Sequence, residues 1–83
     1  MECSIRIMND YAFVQSDKSG LGTLKFDMSL PCCRVFETTK QQSRDYLDEL
    51  IDWCGETPSN IDTIARSIFM YLTVRRREAG MLR

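Results

Sequence analysis

The sequence predicts an α+β fold: three or four antiparallel strands followed by an antiparallel helical hairpin packed on one face of the sheet. Three observations predict it. Apolar and polar side chains alternate through the early part of the chain, apolar residues recur at helical spacing in the later part, and turn formers gather between these segments. The 83 residues suit one domain, mainly β over 1–37 and mainly α over 38–83.

Cys3, Ile5 and Ile7 alternate with Ser4, Arg6 and Met8, Asn9-Asp10 supplies turn chemistry, and Tyr11 to Gln15 resumes an extended run, which together predict a hairpin. Ser16 to Gly22 concentrates turn formers and reads as an exposed loop. From Thr23 to Leu30 the alternation is clearest, with Leu24, Phe26, Met28 and Leu30 on one side. Pro31 lacks an amide donor and interrupts this strand, after which Cys33 to Phe36 forms a short fourth strand or leads into the next helix. Tyr11, Phe13 and Phe26 are expected in the core.

Thr39 with Gln42, or Thr38 with Gln41, has the spacing of a capping box. Leu47, Leu50, Ile51 and Cys54 then follow as the inward stripe of a helix that Gly55 stops. Thr57 can cap a second helix with Pro58 at its first position; Ile61, Ile64, Ala65, Ile68 and Leu72 form its stripe, and Gly80 ends it. So short a connection makes the helices antiparallel neighbours, with Leu50, Ile51, Ile64 and Ile68 at the centre of the core.

Composition narrows the chemistry. Eleven basic and twelve acidic residues give a formal net charge of −1, which excludes a protein coated with positive charge. There is no histidine, so the commonest general base, catalytic metal ligand and partner of a nucleophile is missing. Gly20-Leu21-Gly22 precedes a strand rather than opening a helix, so it reads as a turn and not as a phosphate cradle. No cofactor site is expected. Asp45, Asp48, Glu49 and Asp52 share the outer side of the first helix, where they form either a solvated face or a gathering point for a divalent cation.

Cys3, Cys32, Cys33 and Cys54 contain no C-x-x-C pair, which leaves reduced thiols as the expectation over zinc or a redox centre. The opening residues lack a basic region followed by a long apolar run, and no stretch has the length of a membrane span, so the chain reads as soluble and cytoplasmic.

Charge is segregated: residues 38–56 sum to −3 and residues 57–83 to +3. Arg75, Arg76 and Arg77 are expected to project past the start of the first helix, clear of its acidic face. They suit a favourable interaction with the helix dipole, phosphate contacts, or carboxylates of a protein partner. With Ile61, Ala65, Ile68 and Leu72 inward, the helical phase turns Met70 and Val74 outward beside Arg66, Thr73 and Arg77, while Tyr46 and Trp53 flank the first helix's stripe. Aromatic, Met and Arg anchors of this kind are enriched at protein interfaces.

The expected partner-binding residues are therefore Tyr46, Trp53, Arg66, Met70, Val74, Arg75, Arg76 and Arg77. The function they predict is a small non-enzymatic interaction protein that binds, and inhibits or adapts, a larger intracellular protein or nucleoprotein machine. Phage-type anti-defence inhibitors match that description in size. The alternative is a nucleic-acid-binding regulator that uses the basic second helix with Arg83.

Overall fold

The computed structural model describes residues 1–29 and 36–81. Three antiparallel strands, β1 (Cys3–Met8), β2 (Tyr11–Ser16) and β3 (Thr23–Asp27), form a sheet of order β1-β2-β3 and are followed by two helices, α1 (Phe36–Cys54) and α2 (Ile61–Met81). The fourth-strand candidate lies outside the described residues except for Phe36, which opens α1. Both helices pack on one face, α2 against β1 and α1 against β3, as well as against each other.

The β1–β2 turn has only two residues and pairs Met8 with Tyr11. Asn9 takes φ +56° there, a left-handed conformation that asparagine tolerates better than most residues. That pairing fixes every face. Cys3, Ile5 and Ile7 lie opposite Ser16, Val14 and Ala12 on the helix side, where Leu24 and Phe26 of β3 join them. The remaining side chains point away from the helices.

This register corrects the expectation that Tyr11 and Phe13 are core residues. Both lie on the outer face, with Tyr11 39% exposed and Phe13 half-buried, and only Phe26 of the three aromatics is buried. Apolar residues occupy both parities of β2, so alternation within that strand could not choose its inward side; Ala12 and Val14 take it because they oppose Ile7 and Ile5.

Ala12, Val14, Phe26, Met28, Leu50, Ile64, Ile68 and Leu72 form the centre of the core, with Cys3 and Cys54 at one end. Ile51 and Ala65 are half-buried at its margin rather than central. The strand expected to reach Leu30 ends at Asp27, although Met28 remains buried and its amide bonds to Asp10 O at 2.6 Å. Helix α1 starts before both proposed caps, and Thr39 is a buried residue inside it.

Gly55 ends α1 as expected: it adopts φ +77°, and its amide bonds to Ile51 O at 2.9 Å. The second helix begins later than Thr57 and Pro58 suggested. Pro58 is buried in the connection, and Asn60 O accepts the amides of Thr63 and Ile64 at 3.0 and 3.2 Å. Asn60 is thus the last residue before the helix, but its side chain bonds to β1 instead of capping α2. Its Oδ1 accepts the Cys3 amide at 2.9 Å, and its Nδ2 donates to Cys3 O. Nor does Gly80 stop α2, which runs through Met81. Among the described residues, no helix is long and apolar enough to cross a membrane.

Cys3 and Cys54 are buried free thiols with their sulfurs 4.0 Å apart. Burial, and then the hydrogen bond with Cys54, push the Cys3 thiol up from 9.0 to about 11. Cys32 and Cys33 lie outside the described residues. Cys3 and Cys54 are expected to resist thiol labelling until the chain unfolds, as mass spectrometry of labelled native and denatured protein will show. Because the folded state holds the Cys3 proton more tightly than the unfolded state, its contribution is complete below pH 9.0 and is lost as pH rises toward about 11. Fast labelling of both residues in the native state would contradict this packing.

Candidate functional site

The outward face of α2 follows directly from helical phase. Ile64, Ile68 and Leu72 are fully buried, and a residue two positions from Ile68 or Leu72 lies on the far side of the helix. Met70 is 58% exposed and Val74 49%. They are four residues apart, so they sit on successive turns and form one apolar ridge. Beside the ridge runs a shallow groove of about 220 Å³ lined by Phe69, Met70, Thr73, Val74 and Arg77.

The Thr73 hydroxyl donates to Phe69 O at 2.8 Å within the helix, so its hydrogen is already used. Arg66 and Arg77 are exposed toward the two ends of this face. The arrangement is an apolar centre with cations at its ends. It can hold an apolar side chain against Phe69 and pair carboxylates at the rim.

The sequence-predicted residues do not all join it. Tyr46 belongs to the joint between α1 and β3: its ring lies 4.9 Å from that of Phe26, its hydroxyl donates to Asp27 O, and Gln42 Nε2 donates to that hydroxyl at 2.9 Å. Burial raises the pKa of the Tyr46 phenol. Trp53 is half-buried against the core.

The three consecutive arginines separate into three environments, which corrects the expectation of one free basic cluster beyond α1. Arg75 Nη2 lies 2.8 Å from Asp10 Oδ1, and its guanidinium lies 5.8 Å from the centre of the Tyr71 ring. Arg76 is buried and donates to Gln42 Oε1. Arg77 alone of the three is exposed. The physical reason is the later start of α2 at Ile61, which places its last turns alongside α1 and the β1–β2 turn. Tyr71 and Arg75, one turn apart, both hold that turn, with Tyr71 Oη donating to Asn9 O. The side chains of the Arg75–Asp10 pair are 41% and 45% exposed, so solvent screens the pair and it positions the turn more than it stabilises the fold, contributing under about 1 kcal/mol.

Phe69 is the residue of this face that sequence reasoning missed. Its signal was an aromatic one position after Ile68, at the margin of the inward stripe, where a large ring reaches the surface. Asp45, Asp48, Glu49 and Asp52 of α1 are exposed, and Asp45 accepts a hydrogen bond from Gln41 Nε2 at 2.9 Å. Among the described residues, no three acidic or cysteine side chains are placed to hold a metal ion.

Fold and face together define a small α+β domain with an uncovered apolar and cationic helix surface. Comparisons with known protein families, with curated proteins and with solved structures return no match, so the geometry of this surface carries the functional argument.

Proposed function

We propose that the chain is a small non-enzymatic interaction protein that binds a larger protein or nucleoprotein machine through the outer face of α2, and inhibits or adapts it by occupying its surface. The observation that supports this reading is the Met70–Val74 ridge beside the Phe69 groove, with Arg66 and Arg77 toward its ends. Exposed apolar side chains on one face of a helix have no role in folding when the opposite face already supplies the core. The complementary partner surface presents an apolar projection flanked by carboxylates.

Reading α2 as a nucleic-acid helix is less well supported, because Arg75 is engaged with Asp10 and Arg76 is buried. Trp53→Ala is also a poor probe of binding, since the ring packs on the core.

Met70→Glu is the informative variant. Affinity capture with the tagged wild-type chain supplies the partner, and titration of the purified partner then compares wild type, Met70→Glu and Arg77→Ala. Met70→Glu is expected to weaken binding by at least about 1–2 kcal/mol with melting unchanged, and Arg77→Ala by less. Undiminished affinity in both variants would remove α2 as the binding face.

A further inference from the structure

The face of the sheet turned away from the helices is not an ordinary solvated surface. The register lays three rows of side chains across it. In the middle row Phe13, on the central strand, has Arg6 on one side and Lys25 on the other. The next row is Met8, Tyr11 and Asp27, with Met8 44% exposed. The Tyr11 and Phe13 rings are 6.5 Å apart, and Lys25 Nζ lies 4.1 Å from the centre of the Tyr11 ring. On the other side of Phe13 the row is neutral and polar, Ser4, Gln15 and Thr23, and a hollow of about 570 Å³ spans Ser4, Arg6, Phe13 and Gln15.

We infer that this face is a binding site for single-stranded nucleic acid, with a base stacked on Phe13 and the adjoining phosphates held by Arg6 and Lys25. An aromatic ring between two cations matches the alternation of π-face and phosphate along a single strand, and neighbouring strands about 5 Å apart put both charges within reach of one nucleotide. Each cation is available for exchange. Arg6 Nε donates to Met8 Sδ at 3.1 Å, a weak acceptor that a phosphate oxygen readily replaces. Lys25 rests on an aromatic face at the surface.

Gln15 and Thr23 share one hydrogen bond of 3.4 Å, which leaves donors and acceptors for a base edge. Asp27 makes the corner beyond Tyr11 anionic, so the strand follows the Ser4 to Lys25 side. A duplex, whose bases are already stacked and paired, offers Phe13 no free face. The site is independent of the α2 surface.

The test is fluorescence anisotropy at low salt with labelled oligothymidylate and oligouridylate of roughly 8–16 nucleotides, alongside a duplex of the same length. Both single strands are expected to bind, with affinity falling linearly with salt on logarithmic axes, and the tighter of the two marks DNA or RNA as the source. Phe13→Leu keeps an apolar side chain but removes the ring, and is expected to weaken binding at least about tenfold. Arg6→Gln and Lys25→Gln should each lower the salt slope by about 0.7. Met70→Glu should leave oligonucleotide affinity unchanged.

Circular dichroism checks each variant, and photocrosslinking of the wild-type chain to a halogenated oligouridylate is expected to mark Tyr11 or Phe13. Absence of binding at low salt overturns the inference. So do equal affinity for duplex, unchanged affinity in Phe13→Leu, crosslinks confined to other elements, or capture of a protein at Phe13 without oligonucleotide binding.

Discussion

Ile68→Ala is expected to destabilise the chain by about 2–5 kcal/mol, which for a domain this small leaves little of it folded. Ile68 is fully buried at the middle of the α2 stripe, between Ile64 and Leu72, in the same cluster as Val14, Phe26 and Leu50. Truncation removes transfer energy and leaves a cavity that helices tied to the sheet at both ends cannot readily close. Met70→Ala, two positions away, should change stability by no more than about 0.5 kcal/mol. Urea denaturation of the two variants compares them directly. Equal losses would mean that the helical phase, and with it the α2 surface, is misassigned.

Asn60→Ala is expected to cost about 2–4 kcal/mol, although it removes only three heavy atoms from a half-buried side chain. Asn60 acts as a substitute strand for the edge of β1, since its amide group satisfies both the N–H and the C=O of Cys3. Without it, two backbone groups of a buried residue lose their partners, and each such loss costs more than a hydrogen bond ordinarily contributes. Asn60→Asp keeps an acceptor for the Cys3 amide but sets a carboxylate oxygen against Cys3 O where Nδ2 donated, and should cost at least as much as alanine at neutral pH. Ser59→Ala, which removes the hydroxyl contact to Met1 O but leaves the Ser59 amide bond to the same oxygen, should cost much less. Hydrogen exchange at the Cys3 amide gives a local readout. Protection unchanged in Asn60→Ala would show that this clamp does not hold the edge.

The Asn60 clamp marks where sequence reasoning stops. Asn60 and Cys3 are 57 positions apart, and nothing local distinguishes this asparagine from an ordinary residue before a helix. The same holds for Arg75 and Arg76. Consecutive arginines look equivalent in a sequence, but their side chains leave the helix about 100° apart, so one meets Asp10, the next Gln42 and the third solvent. Only packing against α1 and the β1–β2 turn separates them. Phe13 is an intermediate case: its face follows from the two-residue turn that pairs Met8 with Tyr11, but the apolar character of both sides of β2 concealed it.

By itself the sequence determined the α+β class, the order of strands and helices, the stop at Gly55, and the phase of α2 that buries Ile68 and exposes Met70. These properties depend on neighbours within one or two turns or one hairpin, where periodicity and the conformational limits of individual residues decide the outcome. Tertiary structure alone decided which cations stay free, which aromatics face outward, and which side chain closes the edge of β1. Those outcomes depend on the helix and strand registers, and a shift of a few residues in where α2 begins changes which distant groups meet.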